Sequence, residues 1–206
     1  MVFVKVCGIT RPEDARLAAE SGADAIGLLF AESPRRVSVE RAREISSALP
    51  PEVARVGVFV NASDKEVLQT VREAALDYVQ LHGDETPRTV ASVREGGVKV
   101  VKALRVRDAG SLAEMEGYAA DLYLLDSFSE KARGGTGDRF DWVLAEALKG
   151  CDNILISGGI TPGNVCEALD FFEPYGVDAS SSLESAPGEK EAEKVRRFVG
   201  AAKGRS

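Results

Sequence analysis

The strongest constraint on the fold is the regular alternation of short apolar runs with amphipathic stretches along the chain. Eight runs have the branched and aromatic residues that are typical of buried strands: "VFVKVCG", "AIGLLF", "VARVGVFV", "YVQLHG", "VKVVKAL", "DLYLLD", "NILISGG" and "GVDAS". Helical patterns follow them, for example "PEDARLAAESG", "SVERAREISSAL", "DKEVLQTVREA", "DWVLAEALKG", "NVCEALDFF" and "EKEAEKVRRFVGAA". This strict alternation predicts a parallel sheet whose crossovers are helices.

Eight strand–helix units in 206 residues match the short end of the size range of the (β/α)8 or TIM barrel, which is the α/β fold we predict. A doubly wound open sheet is the alternative. No Pro- or Gly-rich linker divides the chain, so residues 1–206 are expected to form a single barrel domain. The polar insertion "SEKARGGTGDRF", residues 129–140, would then lie on the carboxyl face of the barrel, where it could close over a ligand.

The first strand carries a charge and a thiol on the face that would point into the barrel. In "VFVKVCGIT", side chains alternate between the two faces, so Lys5 and Cys7 share one of them. A buried lysine is costly unless it is paired. Because a closed barrel places the last strand beside the first, Asp178 of "GVDAS" is the expected partner of Lys5.

Composition excludes several classes of protein. The chain has 26 Lys and Arg against 33 Asp and Glu, and a net charge of -7 argues against sequence-independent binding of nucleic acid. The three cysteines, Cys7, Cys151 and Cys166, are widely spaced and form no CxxC, so reduced thiols are expected. No apolar run has the length of a signal peptide core or a membrane span. We therefore expect a cytoplasmic protein without a membrane partner.

Two residues at strand ends suggest acid–base chemistry. Cys7 ends the first strand, where a thiolate can accept a proton, although a lone cysteine is often only a small buried apolar residue. Asp126 follows the apolar "LYLL" of the sixth strand, where an acid in a water-poor site can donate a proton. Alone, Asp126 would equally suit a loop cap or an ion pair. Together they offer one base and one acid at the barrel mouth.

Small polar loops after the seventh and eighth strands predict an anion site. "ISGGITPGNV" and "DASSSLE" occupy the positions where barrels frequently bind phosphate through main-chain N–H groups, and "SPRR" adds cations near the second strand. The single histidine, His82, is expected to face the barrel interior with Gln80. One histidine and scattered carboxylates do not form a metal-binding motif. Nucleotide and dinucleotide fingerprints are missing. No metal and no cofactor are expected.

A set of motifs in order over nearly the whole chain resembles the phosphoribosylanthranilate isomerase family of tryptophan biosynthesis: "KVCGIT", "SPR", "GVFVN", "QLHGDE", "LLDS…GGTG…FDW", "SGGITPGNV" and "GVDASS…PGEK". The resemblance implies a (β/α)8 barrel that converts N-(5-phosphoribosyl)anthranilate into 1-(2-carboxyphenylamino)-1-deoxyribulose 5-phosphate. This Amadori rearrangement needs no metal or coenzyme. The implied partner is a small phosphorylated molecule, and the chain is either a monomer or a homodimer.

The same resemblance assigns roles to residues at the strand ends. Cys7 would be the general base that takes the proton from C2′ of the ribose, and Asp126 the general acid that protonates the ring oxygen. Arg35 of "SPR" would contact the anthranilate carboxylate, and Asp178 would lie near the anthranilate amine. The phosphate loops correspond to Gly158, Gly159, Ser180 and Ser181.

The chain departs from the family pattern at two positions. Arg36 stands where an aromatic residue usually follows "SPR". Two neighbouring arginines, Arg35 and Arg36, are therefore candidates for the contact with the anthranilate carboxylate. Ser182 stands where a glycine is usual, and its side chain is expected to alter or crowd the phosphate loop.

Two other functions fit a barrel with phosphate loops. One is a related ribose phosphate isomerase or synthase that uses a catalytic lysine, for which Lys5 and Lys102 are candidates. The other is a phosphate-ligand sensor, which would keep the glycine loops and need neither an acid nor a base.

Overall fold

Eight parallel strands form a closed barrel in the computed structural model, which describes residues 1–127 and 141–204. The ring closes because the last strand pairs with the first, with Lys5 opposite Asp178. This closure confirms the predicted barrel and excludes the open sheet. The strands are β1 (Phe3–Cys7), β2 (Ala25–Leu29), β3 (Ala54–Phe59), β4 (Tyr78–Leu81), β5 (Lys99–Val106), β6 (Leu122–Ser127), β7 (Ile154–Ile156) and β8 (Gly176–Ala179).

In the described part of the chain, six α-helices pack around the barrel, one after each of the first four strands and one after each of the last two. They are α1 (Pro12–Glu20), α2 (Val39–Ser47), α3 (Asp64–Ala74), α4 (Pro87–Glu95), α5 (Val165–Phe172) and α6 (Ala192–Lys203). The hydroxyls of Ser38, Ser63 and Thr86 accept main-chain N–H groups in the first turns of α2, α3 and α4, which fixes where these helices begin. No helix in the described ranges combines the length and apolar character of a membrane span.

The described residues of the connections after β5 and β6 contain 3₁₀ helices, Ala109–Gly117 and Trp142–Leu148. The sequence "DWVLAEALKG" therefore predicts helix in the right place but of the wrong kind. The Asp141 side chain accepts the N–H of Val143, and the N–H of Leu144 donates to the Asp141 carbonyl, so the segment starts as a tight turn. The insertion 129–140 lies outside the described residues.

A short antiparallel hairpin separates β8 from α6 and is a feature that helical periodicity missed. Its strands are β9 (Glu184–Ala186) and β10 (Glu189–Lys190), and α6 begins only at Ala192. Lys190 belongs to the hairpin and not to the helix: it pairs with Glu184 of β9, its main-chain N–H donates to Asp14 Oδ2 at 3.2 Å, and its ammonium group donates to Glu184. The hairpin thereby brings two charged residues to the carboxyl end of the barrel.

The apolar core has two parts, which the alternation of side chains along each strand keeps apart. The larger part lies between the strands and the helices. The smaller one consists of residues from β5, β6 and β7 that point to the opposite face: Val101, Ala103, Leu122, Leu124 and Leu155. Asp126 continues the Leu122–Leu124 face of β6, so the filled interior gives way to polar groups towards the carboxyl ends of the strands.

Candidate active site

A cavity of about 820 Å³ lies at the carboxyl ends of the strands. Residues from the ends of seven of the eight strands, all except β5, or from the loops that follow them contribute to its walls. Every site residue predicted from the sequence lies in this lining: Cys7, Arg35, Asp126, Gly158, Gly159, Asp178, Ser180 and Ser181. The structure thus brings together eight residues that the sequence spreads from Cys7 to Ser181.

Cys7 occupies a space that the neighbouring strand leaves open. It pairs with Gly27 of β2, and a methyl group on Gly27 would lie 2.5 Å from Cys7 Sγ, so glycine is required there. Burial raises the pKa of the Cys7 thiol, and the Asp178 carboxylate acts in the same direction. The ammonium groups of Lys5 and Lys190 oppose this rise without cancelling it. The resting group is therefore a thiol at neutral pH.

Lys5 and Asp178 form an ion pair below Cys7. Lys5 Nζ donates to Asp178 Oδ1 at 2.9 Å, and both side chains are at least 95% buried. Burial alone would lower the pKa of Lys5, but the Asp178 carboxylate and Cys7 raise it, and the net shift is upward. Ser157 Oγ donates to the other carboxylate oxygen at 3.3 Å. The pairing confirms the neighbour expected from strand order.

Asp126 is held by three neighbours at the end of β6. Its Oδ1 accepts the N–H of Ser127 at 2.9 Å, and its Oδ2 lies 3.0 Å from Nε2 of His82. Gly158 approaches the same carboxylate, since a methyl group there would lie 2.9 Å from Oδ1 and 2.3 Å from the Ser127 nitrogen. The carboxyl group therefore has a fixed orientation, with one oxygen on the imidazole.

His82 reaches Asp126 from β4, a contact that the sequence did not indicate. Gln80 Nε2 lies 2.6 Å from His82 Nδ1, so three polar side chains form a row. Strand parity predicted that Gln80 and His82 face the interior, but nothing in the sequence says which residue of another strand they meet.

The loops after β7 and β8 provide main-chain donors. Gly158 and Gly159 both have left-handed backbone conformations, with φ of 69° and 70°. Within the described ranges, the N–H groups of these two glycines have no acceptor in the protein. They are therefore available to an anion in the cavity. Ser182, where the family usually has glycine, donates from Oγ to the Ile160 carbonyl at 2.6 Å and ties the two loops together.

Arg35 forms a largely buried charge cluster with Glu184 and Lys190. Of these three residues, only Arg35 was identified from the sequence. Its Nε and Nη2 donate to the two carboxylate oxygens of Glu184 at 2.8 and 2.7 Å. Lys190 Nζ donates to Glu184 Oε1 at 2.9 Å and to the Ser180 carbonyl at 3.1 Å. Two cations share one carboxylate, which leaves the cluster with a net positive charge beside the cavity. Arg36, by contrast, is exposed and lies outside the cavity lining.

The two lysines that would serve a lysine-dependent reaction are both engaged in structural contacts. Lys5 is paired with Asp178, as described. Lys102 is 2% exposed and donates to the carbonyls of Leu81 and Gly83 at 3.2 and 2.8 Å and to Glu85 Oε2 at 2.8 Å. Neither lysine contributes to the cavity wall.

Comparisons with known proteins agree with this geometry. Residues 4–201 match the family model of N-(5'-phosphoribosyl)anthranilate isomerase. The isomerase of that name from Rubrobacter xylanophilus is 64% identical over 205 residues, which cover 98% of this chain and 100% of the relative. The crystal structure of phosphoribosyl anthranilate isomerase from Thermotoga maritima is 39% identical, covers 99% of this chain and 100% of its own, and superposes with a TM-score of 0.91.

A further solved structure is phosphoribosyl anthranilate isomerase in complex with reduced 1-(o-carboxyphenylamino)-1-deoxyribulose 5-phosphate. It is 38% identical to this chain, covers 99% of it and 100% of its own chain, and has a TM-score of 0.87.

Proposed function

The chain belongs to the N-(5'-phosphoribosyl)anthranilate isomerase family, and we propose that the cavity at the carboxyl ends of its strands is where it rearranges this substrate in tryptophan biosynthesis. The observation that carries the proposal is the position of Cys7 and Asp126. They lie on β1 and β6, which are not neighbours in the barrel, and both line one cavity with the glycine and serine loops.

We assign the first proton transfer to Asp126. It protonates the furanose ring oxygen, the C1′–O bond breaks, and the nitrogen lone pair forms a protonated Schiff base at C1′. Asp126 is left as a carboxylate, which its hydrogen bond from the Ser127 N–H stabilises. The positive nitrogen acidifies the proton on C2′.

We assign the second transfer to Cys7. The reactive form is the thiolate, whose fraction grows as the pH rises towards the raised pKa of this thiol. It takes the C2′ proton, the C–H electrons form the C1′–C2′ double bond, and the nitrogen becomes neutral. The resulting enolamine tautomerises to the ketose by gaining a proton at C1′ and losing the proton on O2′. Substrate and product are isomers. The enzyme pair is carboxylate and thiol at the enolamine stage, and it returns to acid and thiolate when Asp126 takes the O2′ proton and the Cys7 thiol gives a proton to C1′.

The two charged ends of the substrate have separate binding groups in this proposal. The phosphate binds to the main-chain donors of Gly158 and Gly159 and to Ser180 and Ser181. Arg35 binds the anthranilate carboxylate. Its contacts with Glu184 use two of its five N–H groups, so three remain for a ligand.

Asp178 would contact the anthranilate amine through the carboxylate oxygen that Ser157 also reaches. We also place the enzyme in the cytoplasm, where the thiols of Cys7, Cys151 and Cys166 stay reduced.

Turnover of freshly generated substrate tests the function. Phosphoribosylanthranilate is formed in the cuvette from anthranilate and phosphoribosyl pyrophosphate by an added anthranilate phosphoribosyltransferase. The loss of its fluorescence is followed after the protein is added. We expect rapid loss with the wild type and little loss with Asp126→Asn. Tight binding of the substrate without turnover would favour the sensor. Turnover that persists in Cys7→Ala and Asp126→Asn would favour different catalytic groups.

A further inference from the structure

The row of side chains from Gln80 through His82 to Asp126 has no role in the mechanism as described above. His82 contributes to the cavity wall, and its side chain is 12% exposed, whereas Gln80 is buried. Among the described residues, His82 is the ionisable side chain hydrogen-bonded to Asp126, at 3.0 Å. The proton that the mechanism draws from Asp126 therefore has an imidazole next to it.

The Gln80 amide can accommodate either neutral form of the imidazole. One end of the amide contacts His82 Nδ1 at 2.6 Å, and the oxygen at the other end is buried without a hydrogen-bond partner. No contact at that far end fixes which way the amide turns. With its nitrogen on Nδ1, the amide donates, and Nε2–H donates to an Asp126 carboxylate. With its oxygen on Nδ1, the amide accepts, and Nε2 accepts from a protonated Asp126.

These two arrangements contain the same number of hydrogen bonds. They differ by one proton on Asp126 and in the imidazole nitrogen that carries the N–H. An acid that gives up a proton in each turnover and regains it needs such a pair of states. The main chain that carries the imidazole is held in place independently of Asp126, because Lys102 donates to the carbonyls of Leu81 and Gly83 on either side of His82. The contact therefore does not depend on the protonation of the carboxyl group.

We propose that His82, oriented by Gln80, is a positioning residue that shares the transferable proton with Asp126, so that the two residues act as one acid. In the protonated state the proton lies between Oδ2 and Nε2. After Asp126 has protonated the ring oxygen, its carboxylate takes the proton that the O2′ hydroxyl of the enolamine loses, and this proton restores the shared acid. The Cys7 thiol gives the proton that C1′ gains, so the thiolate is restored as well. The inference rests on the proposed function, because it assumes that Asp126 opens the ring.

A double-mutant cycle tests whether the two residues act as a unit. We expect His82→Ala and Asp126→Asn each to lower kcat by about 10²-fold, and the double variant to be no slower than the slower single variant. KM should stay within about threefold, since neither residue binds the charged ends of the substrate. A double variant slowed by the product of the two separate losses, or a His82→Ala enzyme with kcat within twofold of wild type, would overturn the proposal.

Chemical rescue separates a proton-sharing role from a structural one. Imidazole added to the buffer should raise kcat of His82→Ala at least tenfold and leave Asp126→Asn unchanged. A His82→Ala enzyme that imidazole does not restore contradicts the proposal. Cys166→Ala, a change on α5 remote from the cavity, serves as the control for effects of imidazole on the assay itself.

A second variant covers the case in which His82→Ala does not fold. Gln80→Met has nearly the same size and lacks the amide, so it should lower kcat about tenfold with little change in KM or in Tm, and an unchanged kcat would overturn the role of Gln80. The wild-type assay separates failure of the proposed function from failure of the role proposed for His82 and Gln80. If the wild type fails to turn over the substrate, the proposed function is wrong; if only the His82 and Gln80 variants are fully active, this inference alone is wrong.

Discussion

Lys5 and Asp178 stand opposite each other in the register of β1 and β8, with Lys5 Nζ 2.9 Å from Asp178 Oδ1. The first and last strands of the barrel are thus joined by an ion pair in addition to their main-chain hydrogen bonds. Because Asp178 also lines the cavity, the same pair fixes one wall of the candidate active site and contributes to the electrostatic environment of Cys7. Barrel closure and site chemistry therefore depend on one contact.

Removing one partner of this pair should cost more stability than removing both. Lys5→Met leaves the Asp178 carboxylate buried without its cation, and we expect the free energy of unfolding at pH 7 to fall by about 3–5 kcal/mol. The double variant Lys5→Met, Asp178→Asn should recover part of this loss, because no buried charge remains. Urea denaturation of the two single variants and the double variant measures both effects. If the loss of unfolding free energy in the double variant equals the sum of the losses in the single variants, the two charges do not stabilise each other.

Cys7→Ala and Asp126→Asn should retain the fold and each lower kcat by roughly 10²-fold or more, the usual scale of positioned acid–base catalysis. Neither change removes much apolar volume, so Tm should change little. Cys151→Ala and Cys166→Ala are the matched controls, since both thiols lie outside the cavity lining. Near-normal kcat in a folded Cys7→Ala or Asp126→Asn enzyme would remove that residue from the mechanism.

The protonation of Cys7 should control the pH dependence of the reaction. Burial raises the pKa of this thiol above the ordinary value of 9.0, and a base must be deprotonated to act, so kcat/KM should still be rising as the pH passes from 7 to 9. The rate of alkylation of Cys7 by iodoacetamide reports the thiolate directly and should rise over the same range. This measurement uses the Cys151→Ala, Cys166→Ala background. A plateau in both rates below pH 7 would contradict the assignment.

Arg35 and Arg36 should separate in their effects on substrate binding. Arg35 lines the cavity and has three N–H groups that Glu184 does not use, whereas Arg36 is exposed. A hydrogen bond to a charged group contributes about 1.5–3 kcal/mol, so Arg35→Ala should raise KM by about tenfold to a hundredfold with a smaller effect on kcat. Arg36→Ala should leave KM within twofold. The reverse pattern in steady-state kinetics would transfer the carboxylate contact to Arg36.

The strands were predictable because each carries a periodic signal within a few residues of sequence, and their order around the barrel follows from chain order. Strand parity and strand ends were then enough to place Cys7, Asp126 and Asp178 at one mouth. The contacts that the sequence missed, His82 with Asp126 and Glu184 with Arg35, join elements distant in the chain. The first contact depends on side-chain rotamers, and the second on the β9–β10 hairpin, which carries Glu184. The helical pattern of this part of the sequence does not predict a hairpin.

The backbone at Gly158 should determine phosphate binding more than any surface lysine. Its φ of 69° disfavours a side chain by about 1–2 kcal/mol, and a methyl group would lie 2.3 Å from the Ser127 nitrogen, so Gly158→Ala must displace the loop from β6. We expect the constant for competitive inhibition by inorganic phosphate to rise at least tenfold, because the main-chain N–H groups no longer converge on the anion. Gly163→Ala, in the same loop but with its added methyl 3.6 Å from Thr161 Oγ1, should change this constant less than twofold, as should Lys149→Ala on the surface. Normal inhibition of Gly158→Ala by phosphate, together with its loss in Lys149→Ala, would show that side-chain charge, and not the loop backbone, holds the phosphate.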